Sequence, residues 1–175
     1  MKSKELMMMS VKNKAVIALN GVLKGKKKQY REMYDQKDFL FIGADAGSLF
    51  LDKLEFIPDI IIGDMDSLSK KEIDYFKKLN VKLKKFDSEK DETDGELALN
   101  YCLKNNIENV YIIGAQGGRF DQQLANIFLL EYATKNHLNA LIKEPGLEAG
   151  LIKDKMEFND CQNTRLSLLP LSNEV

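Results

Sequence analysis

Cysteine is scarce in this chain of 175 residues. There are two, Cys102 and Cys161, far apart and in no C-x-x-C pair. That spacing excludes a disulfide framework and a cysteine-built zinc site, and it fits a reducing compartment. Histidine is scarcer still: His137 stands alone, at the end of a predicted helix, where a dipole contact or plain exposure suits it better than catalysis. Neither sign of charge dominates, with 26 basic against 27 acidic residues and a net charge of -1. A balance so near neutral gives no argument for a nucleic-acid or anionic-membrane partner. The lysines of "KGKKKQY" and "KLKKF" form short groups beside acidic segments and read as solvated edges. No apolar run reaches the length of a membrane-spanning helix. The opening "MKSKELMMMSVKNK" has a basic flank without the apolar core of a signal peptide, and its three methionines read as a loose tail. A cytoplasmic location is the expectation. Internal repeats and low-complexity linkers are missing too.

What is present is the composition of a soluble globular protein, 44% hydrophobic and 30% charged. The length suits one domain with a small appendage. Short apolar runs alternate with helical patterns, which predicts an α/β fold: an open, mostly parallel sheet with helices on both faces. "KAVIALNG", "DFLFIGAD", "PDIIIGD", "NVYIIGA" and "LNALIKE" read as strands, and "VKLKKF" as a weaker strand at an edge. The unbroken apolar centre of "PDIIIGD" calls for burial on both faces. Ser69 with Glu72, and Thr93 with Glu96, form capping boxes that open two helices. A third helix, "DQQLANIFLLEYATKN", is opened by Asp121. From about Gly146 the pattern changes to short candidate strands, "GLIKD", "KMEF" and "RLSLLPL". The expected division is an α/β unit over 1–145, with the beginning of a small β-sandwich domain over 146–175, incomplete at its end.

Four predicted strands end in glycine or acid: at Asn20-Gly21, Gly43 to Asp45, Gly63 to Asp66, and Gly114 to Gly118. Ligands of open α/β sheets bind beyond the carboxyl ends of the strands, so these loops should meet at one crevice. Asp64 and Asp66, one residue apart, can turn both carboxylates toward one cation, and oxygen ligands without His or Cys favour Mg²⁺. Asp91 and Asp94 stand at the mouth of a helix. "GAQGGRFD" offers backbone N–H groups, Arg119 for phosphate oxygens, and Asp121. Each piece alone has a plain reading: a D-x-D turn, a helix-dipole partner, an N-cap, a surface arginine. Together they are the parts that phosphoryl transfer needs.

The order of these motifs resembles the thiamine pyrophosphokinase family. "GADAGS" is similar to its ADGG-type element, "PDIIIGDMDS" to PD-x-I-x-GD-x-DS, "KDETDGELAL" to KD-x-TD-x-E-x-AL, and "IIGAQGGRFDQQLANI" to the GGR-x-D element. "RLSLLPL" is similar to the opening of the family's C-terminal β domain. Two departures stand out: Ala46 where glycine is usual, and Ser48-Leu49 in place of the next pair. The resemblance implies transfer of pyrophosphate from ATP to thiamine with release of AMP. It implies Mg²⁺ on Asp64, Asp66 and Asp94, with Asn20, Asp45, Asp91, Thr93, Gly117, Gly118, Arg119 and Asp121 near the substrates. It also implies a homodimer, with the thiamine pocket at the subunit interface. Three alternatives stay open on the residues alone: a pterin pyrophosphokinase, a haloacid-dehalogenase-like phosphatase with Asp64 as nucleophile, and a non-catalytic nucleotide-binding remnant.

Overall fold

The segment Lys14–Ala18 (β1) is deeply covered in the computed structural model, with Ala15 to Ala18 fully buried. A strand read as "AVIA" can be buried on both faces only at the centre of a sheet, and β1 lies there. The structure describes residues 12–89, 91–157 and 162–171. The element order is β1, α1 (Lys27–Met33), β2 (Phe39–Ala44), α2 (Gly47–Lys53), β3 (Ile60–Gly63), α3 (Lys70–Lys78), β4 (Lys82–Lys85), α4 (Asp94–Lys104), β5 (Asn109–Ile113), α5 (Phe120–Lys135), β6 (Asn139–Glu144) and β7 (Leu147–Gly150). The strands form one seven-stranded sheet in the order β4-β3-β2-β1-β5-β6-β7. All pairings are parallel except β6 with β7.

The order runs outward from β1 to β4 and then returns to the other side of β1. Reversal sends the crossover helices to opposite faces. α1 and α2 cover the face of Val16, Ala18 and Phe41, and α3 covers Ile61 on that same side. α4 and α5 cover Ala15, Ile17, Ile42, Ile60 and Ile62 on the other. The switch point therefore falls between the carboxyl ends of β1 and β5.

Both capping boxes form as expected, at Ser69 for α3 and Thr93 for α4. β4 is an edge strand, as its lysine-rich alternation predicts. Helix α5 starts one residue earlier than its sequence suggests: Arg119 is the N-cap and Asp121 sits in the first turn. Helices α1 and α2 carry no clear sequence signal. α1 is lysine-rich and buries only Tyr30, and α2 has no side-chain cap. Past β6 the expected strands differ from those found. Pro145-Gly146, with Gly146 at φ 79, closes a tight hairpin, and "LEAG" joins the main sheet as β7, so "GLIKD" begins where that strand ends. "RLSLLPL" forms no strand among the described residues; "KMEF" and Cys161 lie partly or wholly outside them. No helix among the described residues is long and apolar enough to cross a membrane.

Candidate active site

Asp45 follows β2 directly and takes a left-handed backbone, φ 46. Its N–H donates to the Ile62 carbonyl at 2.8 Å, and its own carbonyl accepts from the Ser48 N–H at 3.0 Å and the Ser48 hydroxyl at 2.8 Å. The backbone is thus clamped to β3 on one side and α2 on the other. Ser48, one of the two departures, is fully buried and supplies half of that clamp. Ala46, the other, has φ -63, a conformation that does not call for glycine. The close approach falls instead on Gly47, where a Cβ would stand 1.8 Å from the Ala18 carbonyl oxygen. Asp45 is 7% exposed, and its Oδ1 is buried without a hydrogen-bond partner among the described residues. An uncompensated buried carboxylate oxygen costs about 1–3 kcal/mol or more, which makes it a mark of function.

Two more carboxylates meet it. Between Asp64 and Asp66, Met65 is left-handed at φ 63 and packs its side chain with Ile61, Leu68 and Phe76 beneath α3. That twist seats the methionine in the core and brings the two flanking acids together. The Asp66 N–H donates to Asp64 Oδ1 at 3.1 Å, and the Ser67 hydroxyl donates to Asp66 Oδ1 at 3.0 Å. Carboxylate oxygens of Asp45, Asp64 and Asp66 lie within 4.8 Å of one another. Asp94, the first residue of α4, reaches the same place from the other face. A Cβ on Gly63 would lie 3.0 Å from the Asp45 Cβ and 3.1 Å from the Asp94 carboxyl carbon. Only glycine leaves room there for an acid on each side.

Beside the acids a cleft of about 270 Å³ opens at the switch point. Leu19, Asn20 and Gly21 line it from the end of β1, Gly117 from the loop after β5, and Thr93, Asp94 and Gly95 from the start of α4. Of the residues singled out in the sequence, Asn20, Asp45, Thr93, Asp94 and Gly117 line this cleft, and Asp64 and Asp66 join through Asp45. Gly118, Arg119 and Asp121 lie next to Gly117 at the start of α5. Asp91 is exposed in the β4–α4 loop and forms no part of the lining. Arg119 pairs with Asp121, its Nε donating to Oδ1 at 3.1 Å. This hydrogen bond holds the Asp121 carboxyl below its ordinary range, although both side chains are solvent-exposed. Gln122 and Asn126 also line the cleft. Sequence reading missed them, although with Ala125 and Leu129 they share one face of α5 at helical spacing.

The family described as "Thiamin pyrophosphokinase, catalytic domain" matches residues 30–142. The thiamine pyrophosphokinase of Bacillus subtilis (strain 168) is 31% identical over 144 residues, 81% of this chain and 67% of the relative. Thiamine pyrophosphokinase 1 of Oryza sativa subsp. japonica is 32% identical over 84 residues, 45% of this chain and 32% of the relative. Among solved structures, the Bacillus subtilis enzyme matches with a TM-score of 0.58 at 28% identity, over 74% of this chain and 59% of that one. A thiamin pyrophosphokinase family protein from Enterococcus faecalis matches with a TM-score of 0.58 at 28% identity, over 74% and 60%. The chain thus spans about three fifths of the length of these solved relatives.

Proposed function

The chain belongs to the thiamin pyrophosphokinase family, and from that premise we propose that it transfers a pyrophosphoryl group from ATP to the hydroxyethyl oxygen of thiamine. The observation that carries this reading is the convergence of three carboxylates, one with a buried unpartnered oxygen, at the mouth of a switch-point cleft. A site that gathers negative charge beside a glycine-rich loop suits a cation and a polyphosphate better than either alone.

The donor set fits Mg²⁺: hard carboxylate oxygens, with no sulfur or imidazole in the group. Asp64 and Asp66 would hold it, with Asp94 and Asp45 on either side of Gly63. When bound, the ion offsets the negative charge of the polyphosphate. The rest falls to the chain's own groups. The backbone N–H groups of the glycine-rich loop and of the first turn of α5 receive phosphate oxygens, and Arg119 exchanges Asp121 for them. In the transfer, the hydroxyl oxygen bonds to the β-phosphorus, the α–β bridging bond breaks, and AMP leaves with the bridging oxygen. The hydroxyl proton goes to a carboxylate. Asp45, within the cleft lining, suits this better than Asp91 outside it. Two copies of the chain form the working unit in this reading, and the exposed Phe120, Ile127 and Phe128 of α5 support it.

The test is an AMP-release assay on the full chain with ATP, Mg²⁺ and thiamine. Asp64→Asn should cut turnover by about a thousandfold or more, with thermal unfolding little changed. Turnover within about threefold of the original chain would remove Asp64 from the site. Running the assay with a pterin alcohol in place of thiamine tests the acceptor.

A further inference from the structure

Glu144 ends β6 at 2% exposure and belongs to none of the motifs above. Its two carboxylate oxygens do different things. Oε1 accepts the N–H of Ala115, at the root of the glycine-rich loop, at 3.1 Å. Oε2 accepts the hydroxyl of Tyr30, fully buried on α1, at 2.9 Å. The carbonyl of the same Ala115 accepts from the Asn126 side chain at 2.9 Å. Ala115 is therefore held from two sides, by β6 and by α5. One residue on, the Gln116 carbonyl accepts the Val22 N–H at 2.7 Å. The next N–H groups, of Gln116, Gly117 and Gly118, donate to no described residue.

Packing alone does not account for this arrangement. An apolar side chain would fill the space without the cost of burying a carboxyl group. What only a carboxylate supplies here is a pair of acceptors, one aimed at the loop and the other fastened to α1. The hairpin that fixes Glu144 opposite Leu147 keeps that aim constant. Burial and the neighbouring Glu144 charge hold the Tyr30 hydroxyl well above the ordinary tyrosine range, so it stays a donor.

We propose that Glu144 is a positioning residue: by fixing the Ala115 peptide it presents the N–H groups of Gln116 to Gly118 to a nucleotide polyphosphate in one set arrangement. This rests on the reading that the cleft takes ATP. The experiment compares the full chain with Glu144→Ala, Glu144→Gln and Tyr30→Phe by amide hydrogen exchange of the segment 114–119 and by steady-state kinetics. Losing a hydrogen bond to a charged group, Glu144→Ala should speed exchange in the loop about tenfold or more. It should raise KM for ATP about tenfold, with kcat within about twofold and KM for thiamine unmoved. Glu144→Gln keeps an acceptor for Ala115 and should stay near the original chain. Tyr30→Phe should give the same pattern at about threefold. Unchanged loop exchange in Glu144→Ala overturns the proposal, as does a rise spread equally over β1 and β2, which would mark a loss of global stability. Should Glu144→Ala not fold, Tyr30→Phe decides alone on the same criterion. Should the original chain form no AMP with any acceptor, the transfer reading fails while loop exchange still judges Glu144.

Discussion

Changing Asp45 to asparagine should make the metal-free protein more stable and less responsive to Mg²⁺. Two terms set the size. Carboxylate oxygens of Asp45, Asp64 and Asp66 come within 4.8 Å of one another; at an effective dielectric of about 20, two unit charges at that distance repel by about 3.5 kcal/mol. Asp66 is exposed and Asp64 half-buried, so solvent and salt reduce this to about 1 kcal/mol. The second term is the buried Oδ1 without a partner. An amide there can donate to a neighbouring carboxylate, recovering about 1 kcal/mol of a desolvation cost of 1–3 kcal/mol. The backbone opposes neither change, because asparagine accepts φ 46 as readily as aspartate does. The sum is a gain of about 1–2 kcal/mol, or about 2–8 °C in melting temperature for a chain of this size.

The assay is thermal unfolding by circular dichroism after chelation, repeated with Mg²⁺ and with Mg²⁺ plus ATP. The original chain should start lower and climb with ligand, since a ligand at 100 times its Kd adds about 2.7 kcal/mol. Asp45→Asn should start higher and climb less with Mg²⁺ alone. Asp38→Asn, at an exposed acid remote from the cleft, serves as control and should move stability by less than about 0.5 kcal/mol. A variant that melts below the original chain without metal, or keeps its full Mg²⁺ response, refutes the reasoning.

Two further outcomes follow from burial and from exposure. Burial pushes the Cys102 thiol up to about 12, so alkylation at pH 8 should be about a thousandfold slower in the folded chain than in denaturant. Above about pH 8.5 the unfolded chain releases a proton that the folded chain keeps, so stability should fall by about 1.4 kcal/mol per pH unit, and Cys102→Ala should lessen that fall. Sedimentation velocity should return a dimer, and Phe128→Glu on the exposed stripe of α5 should shift it toward monomer; a monomer at every concentration would remove the paired working unit.

The sequence made the sheet legible because its strands are apolar runs closed by glycine or acid, and that is also the edge where the cleft opens. It made α3 and α4 legible through their capping boxes. It hid α1 because the only buried side chain of that helix, Tyr30, sits in a run of lysines and other polar residues. Glu144 was hidden for a different reason: a carboxylate at the end of a strand looks solvent-bound until the fold brings Ala115 and Tyr30 to it, 29 and 114 residues away. Within the motifs, spacing did not show which residues serve the site. In "PDIIIGDMDS" Asp59 lies at the amino end of β3, where its carboxylate accepts the Phe41 N–H at 2.8 Å and ties β3 to β2. Asp64 and Asp66 lie at the opposite end, beside Asp45.

The distribution of left-handed residues separates scaffold from site in the same way. Seven non-glycine residues in the described chain have positive φ. Four of them, Glu55, Asn80, Asn106 and His137, each sit one residue past the C-cap of α2, α3, α4 or α5. In each case the next N–H returns to the helix: Phe56 to Leu51, Val81 to Phe76, Ile107 to Cys102, and Leu138 to Ala133, at 2.9–3.1 Å. The returning residue is buried every time. These are Schellman endings, in which a buried apolar contact and recovered carbonyls offset the backbone cost. Asn163 lies in a turn, and His137 is explained without chemistry. Asp45 and Met65 end no helix, yet they take the same costly conformation at the ends of adjacent strands. Asp45 adds a buried oxygen with no partner. The core contact of Met65 and the backbone hydrogen bonds of Asp45 offset the strain here as well, so what stays uncompensated among the described residues is the buried Asp45 Oδ1 beside Asp64 and Asp66, and a bound cation would supply that compensation.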